Sequence, residues 1–109
     1  MAVDEQLAER VRESLGDVGG VAEKRMFGGL AFLIGGNMAV GVHGDDLIVR
    51  IPPEETDAAV GEPHVRIFDM TGRPMQGWVL VGPGATESAD DLGSWVTRGV
   101  DCAESLPPK

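Results

Sequence analysis

Between residues 30 and 51 the chain leaves almost no choice of topology. Three apolar runs of strand length, 30–34, 38–42 and 47–51, are separated only by Gly35-Gly36-Asn37 and by Gly44-Asp45-Asp46. Gly and Asn tolerate the positive φ that tight hairpin turns need. Parallel neighbours need a crossover of a dozen or more residues, so runs joined by turns this short form an antiparallel meander. Pro52-Pro53 ends the third strand, because proline donates nothing to a ladder.

The flanking segments read as helices and two more strands. Residues 4–15 place Leu7, Val11 and Leu15 on one helical face with Ala8 beside them, and Asp4 and Glu5 suit the positive N-terminal end. Gly16, Gly19 and Gly20 close that helix. Residues 53–60 predict a short helix, with Pro53 in its first turn. Residues 65–69 and 76–81 predict strands four and five, joined by a turn at Thr71-Gly72-Arg73-Pro74. Residues 89–104 predict the last helix, with Ser88 as N-cap and Leu92, Trp95, Val96 and Val100 on one face. Gly93 and Gly99 each cost that helix about 1 kcal/mol relative to Ala, so packing must hold it. Residues 105–109 read as a frayed tail.

The expected architecture is therefore a single α+β domain over 1–109, with element order α-β-β-β-α-β-β-α. It has two layers, helices on a five-stranded antiparallel sheet. Strand alternation puts Leu30, Phe32, Ile34, Met38, Val40, Val42, Leu47, Val49 and Ile51 toward the helices. The opposite face would carry Ala31, Leu33, Ala39, Gly41, Ile48 and Arg50. That set is small and apolar, and an open apolar face is a surface for self-association or for docking a partner.

Composition excludes several classes of function. At 109 residues with 42% hydrophobic content the chain can build one modest core. Its net charge of −9 repels a phosphate backbone, so nucleic acid is a disfavoured partner. One cysteine and two histidines are too few for a closed zinc site, and no cofactor motif is present. The N-terminus lacks the basic and apolar regions of a signal peptide, and no run approaches the ~20 residues that span a bilayer. The expectation is a cytoplasmic protein with no membrane contact.

No nucleophile–base pair can be assembled from the sequence. His43 and His64 lie in turns, and Cys102 sits between Asp101 and Glu104, whose charges oppose a thiolate. No residue is assigned as catalytic, cofactor-binding or metal-binding, and the chain does not read as an enzyme.

Four motifs in a fixed order remain. The first is Met26-Phe27-Gly28-Gly29, preceded by Lys24-Arg25. Then come the hairpin ending in Asn37-Met38-Ala39 and the strand ending in Arg50. Last is Gly72-Arg73-Pro74-Met75, leading into the strand that holds Trp78. In this order and spacing the chain resembles the N-terminal domain of the TfoX/Sxy family of bacterial competence regulators. It departs from the family habit in having Gly77 before Trp78 and no Tyr. The resemblance implies the fold, and a regulatory domain that acts by protein–protein contact, with a second copy of the chain as one candidate partner.

The interaction candidates are Arg25, Phe27, Gly28, Gly29, Arg50, Arg73 and Trp78. Arginine supplies charge-assisted hydrogen bonds and the aromatics supply anchors. Met26 and Phe27 could instead plug the core while the glycines make a turn. If Arg25, Arg50 and Arg73 converge, they form a basic patch suited to a small anion; otherwise each pairs with a nearby acid such as Asp69, Asp45 or Glu23. Three readings follow: a protein-contact domain, an anion-binding module on the same arginines, and an auxiliary nucleic-acid binder.

Overall fold

Gly35 and Gly36 take φ of 61° and 84° in the turn of the central hairpin. Both values lie in the left-handed region that matches a two-residue turn to the twist of its strands. The computed structural model describes residues 4–16, 18–26, 29–69 and 75–107. Its elements run α1 (Glu5–Ser14), β1 (Val21–Met26), β2 (Gly29–Ile34), β3 (Asn37–His43) and β4 (Asp46–Arg50). A 3-10 turn at Pro53–Glu55 leads into α2 (Thr56–Val60), then β5 (Val65–Phe68), β6 (Met75–Val81) and α3 (Ala89–Glu104).

The sheet has six strands, in the order β1-β2-β3-β4-β6-β5, and every neighbouring pair is antiparallel. The sequence predicts five. The sixth is β1, Val-Ala-Glu-Lys-Arg-Met, which pairs with β2 from Val21↔Ile34 to Met26↔Gly29. It carries no apolar alternation because it is an edge strand, and Ala22 to Arg25 are all exposed. Its backbone ladder holds it in place, with Val21 packed against the edge of the main core.

All three helices cover one face. α1 contributes Leu7, Ala8, Val11 and Leu15 to the main core, α2 contributes Ala59, and α3 contributes Leu92, Trp95, Val96, Val100 and Ala103. The sheet answers with Leu30, Phe32, Ile34, Val40, Val42, Leu47, Val49, Ile51, Val65, Val79 and Val81. Asp4 caps α1 by accepting from the Gln6 and Leu7 amides at 3.0 and 3.2 Å, and Ser88 caps α3 by accepting from Asp91 N–H at 3.0 Å.

The sheet faces differ from strict alternation at one point. Phe32 pairs with Val40 but Leu33 pairs with Met38, so Ala39 is an extra residue, a β-bulge. The bulge puts Ala39 in the main core and turns Met38 to the opposite face. The assignment of Met38 to the helix side and of Ala39 to the open side is thereby reversed. Gly99 explains the fit: a Cβ there would run into the Ala39 carbonyl oxygen and lie 2.6 Å from Val40 Cγ1. Helix α3 therefore presses bare backbone onto the bulge. Gly93 has nothing within 4 Å of such a Cβ.

Beyond residue 104 one side-chain hydrogen bond links the tail to the sheet. Asn37 is buried, and its Nδ2 donates to the Pro107 carbonyl at 2.9 Å.

Candidate interaction surface

The face turned away from the helices holds a second, smaller core. Ile48 (4% exposed), Phe68 (4%) and Leu80 (5%) form it, with Met38, Met75 and Trp78 half-buried against them. The face expected to be open, with Ala and Gly at its surface, is instead covered by large flexible or aromatic side chains. Phe68 and Trp78 have ring centroids 6.4 Å apart at 47°.

Trp78 reaches this face through a distortion in β6. Ile67 pairs with Val79, yet Phe68 pairs with Met75, so the ladder slips across residues 76–78. Gly77 sits in the slip with φ of 88°, a conformation that costs a side-chain-bearing residue. Thr56, fully buried on α2, holds it there. Its Oγ1 accepts from Gly77 N–H at 2.7 Å and donates to the Pro53 carbonyl at 2.8 Å. The Gly77 carbonyl accepts from Ile51 N–H at 2.9 Å. Trp78 then stands opposite Arg50 on β4, whose guanidinium lies 4.8 Å from the indole centroid. That is cation–π distance, and stacking leaves the edges of the guanidinium for a partner.

Charge divides between the two sides of the molecule. Among the described strand residues, register places the cations Lys24, Arg50 and Arg66 on the outer face, together with the acid Asp46. Arg66 reaches Asp46 at 2.8 Å. The helices and their caps carry Asp4, Glu5, Glu9, Glu13, Glu54, Glu55, Asp57, Asp90, Asp91, Asp101 and Glu104 against the cations Arg10, Arg12 and Arg98. A net charge of −9 thus conceals an outer face with the opposite sign.

The predicted site residues fare differently. Arg50 and Trp78 are brought together. Arg25 is exposed on β1, opposite Leu30, which puts it on the helix side. Three strand spacings, roughly 14 Å, separate β1 from β4. Arg25 and Arg50 therefore do not make a joint patch. Gly29 begins β2, and a Cβ there would strike the Val42 carbonyl, so close strand approach accounts for this glycine. Phe27, Gly28 and Arg73 lie outside the described residues. Sequence reading did not single out Phe68, Leu80 or Thr56. A period-two signal in 65–68 could have found Phe68, but nothing local announces Thr56.

Glu23 takes its partner from α1. Arg12 donates to it at 2.8 and 2.9 Å and also reaches Glu9. Hydrogen bonding from Arg12 holds the Glu23 carboxyl below the usual carboxylate range. Burial pushes the Cys102 thiol up; Arg50 opposes that shift, and Glu55 and Glu54 add to it. His43 is half-buried at the end of β3, and exposed His64 takes φ of 65° before β5. Among the described residues no three His, Cys, Asp or Glu side chains are placed to hold a metal. No helix among them is long and apolar enough to cross a membrane. A depression of about 240 Å³ lies between His64, Gly84, Asp91 and Trp95, on the side away from Arg50 and Trp78.

A family model described as the TfoX N-terminal domain matches residues 13–103 of the 109. No curated protein and no solved structure is significantly similar to the chain.

Proposed function

We propose that this chain, which belongs to the TfoX N-terminal domain family, is a non-enzymatic regulatory domain that binds another protein through its outer sheet face. The observation that carries the reading is the Arg50–Trp78 stack set among Met38 and Met75. Trp, Arg and Met are the residue types enriched at protein interfaces, and a central aromatic beside an arginine is the usual composition of a hot spot. The cationic outer face on an acidic protein selects a partner whose rim is acidic and whose centre is apolar. An anion-binding module would need its arginines to converge, and Arg25 and Arg50 do not. Net charge weighs against nucleic acid, and of the outer-face cations Arg66 is already paired with Asp46.

Site-specific photo-crosslinking in the native host tests this. A benzophenone side chain at Gln76, exposed beside Trp78, is compared with one at Glu9 on the helix layer. The reading expects a discrete protein adduct from position 76, none from position 9, and loss of the adduct when Arg50→Glu is added. Adducts from both positions alike, an adduct with nucleic acid, or one indifferent to Arg50→Glu would overturn it.

A further inference from the structure

We propose that two copies of the chain pair through β1, antiparallel and centred on Lys24, to form one continuous sheet. Among the described residues β1 pairs with β2 alone, and at six residues it is the longer of the two sheet edges, since β5 has four. Its outward backbone N–H and C=O groups are a template for another strand. A second copy can continue the sheet with all helices on the same side if the two-fold axis stands normal to the sheet. Opposed residues then share a face, which requires the axis to pass through a residue.

Four centres fall within the strand, and charge separates them. A centre on Ala22 opposes Val21 to Glu23 of the partner subunit. A centre on Glu23 opposes like carboxylates, and one on Arg25 opposes like guanidinium groups. Only a centre on Lys24 sets Glu23 against Arg25 of the partner subunit, and it does so twice by symmetry. Opposite charges directly across a ladder stabilise the pairing. Glu23 is already oriented by Arg12 at 2.8 and 2.9 Å, so each carboxylate would lie between two guanidinium groups on the helix side. On the other face Lys24 meets its own copy, and that repulsion keeps the association weak. This proposal uses different strands from the outer-face reading and does not depend on it.

One geometric consequence is specific. Seven strand spacings would separate the two Arg50-bearing strands, about 34 Å along one face. The dimer would present two outer faces side by side and bind a repeated partner bivalently.

Sedimentation equilibrium from 10 µM to 1 mM tests the pairing, with circular dichroism confirming that each variant is folded. Wild type is expected to dimerise weakly, and Lys24→Thr to tighten the dimer severalfold. Arg25→Glu, which sets carboxylate against carboxylate, is expected to weaken it at least tenfold. The double variant Glu23→Arg with Arg25→Glu should restore it in part, since position 23 then faces Arg12 with like charge. A Lys24→Thr protein that stays monomeric at 1 mM would overturn the proposal. So would a dimer insensitive to Arg25→Glu, or one lost with Trp78→Ala instead, since that would put self-association on the outer face.

Discussion

Two glycines in α3 carry the same local cost, and the structure predicts opposite outcomes when each becomes alanine. At Gly93 a Cβ meets nothing within 4 Å, so Gly93→Ala should recover the helix propensity, about 0.8–1 kcal/mol. At Gly99 the same gain is available, but the new methyl group would overlap the Ala39 carbonyl and sit 2.6 Å from Val40 Cγ1. Backbone cannot rotate aside as a side chain can, so α3 must lift from the bulge. Overpacking of this kind costs typically 1–3 kcal/mol, occasionally more. Overlap with backbone puts this case at the upper end, about 3 kcal/mol, so after the propensity gain a net loss of about 2 kcal/mol is expected. For a domain of this size 1 kcal/mol moves the midpoint by roughly 4 °C. Thermal denaturation followed by circular dichroism should therefore place Gly93→Ala about 4 °C above wild type and Gly99→Ala about 8 °C below it. A Gly99→Ala protein as stable as wild type would refute the claim that α3 packs bare backbone on the bulge. A destabilised Gly93→Ala would refute the open-space argument.

Thr56→Val should cost about 1–3 kcal/mol in urea unfolding, because it removes the acceptor of the buried Gly77 N–H while keeping the shape. The same variant should red-shift or broaden Trp78 fluorescence, since the kink that aims the indole is released; an unchanged spectrum and midpoint would count against Thr56 as the anchor. Glu23, held below its usual range by Arg12, contributes stability that is present above its unfolded value near pH 4.5 and is lost as pH falls through its lower folded value. Glu23→Gln should therefore be less stable than wild type at pH 7, by under about 1 kcal/mol because the pair is exposed. The two should converge in acid, and a constant gap down to low pH would show that the ion pair is not the cause.

The legible parts of this fold are those set by neighbours in sequence. The 30–51 meander follows from turns too short to cross over, and the caps at Asp4 and Ser88 from side chains beside the helix ends. β1 was illegible because an edge strand need not bury a face, so Glu23, Lys24 and Arg25 carry no periodic signal. The bulge at Ala39 was illegible because its fit depends on Gly99, sixty residues away in the chain. Arg50 and Trp78 stood out as residues, yet their contact depends on the Gly77 slip and on Thr56. The same limit explains Arg25 and Arg50: both are basic residues at the ends of strands, and only the strand order and the face parity separate them.

The bulge also bears on how this hairpin can change length. A one-residue slip in a regular strand exchanges its two faces and ruins whatever each had buried. Here the extra residue is already absorbed at Ala39, with Val40 on one side and Met38 on the other. Removing that single residue would straighten the strand while leaving Asn37, Met38, Val40 and Val42 facing as they do now. Position 39 is thus a point where a one-residue deletion keeps the facing of both sides, and its cost falls on the buried Ala39 and on the backbone that Gly99 packs against.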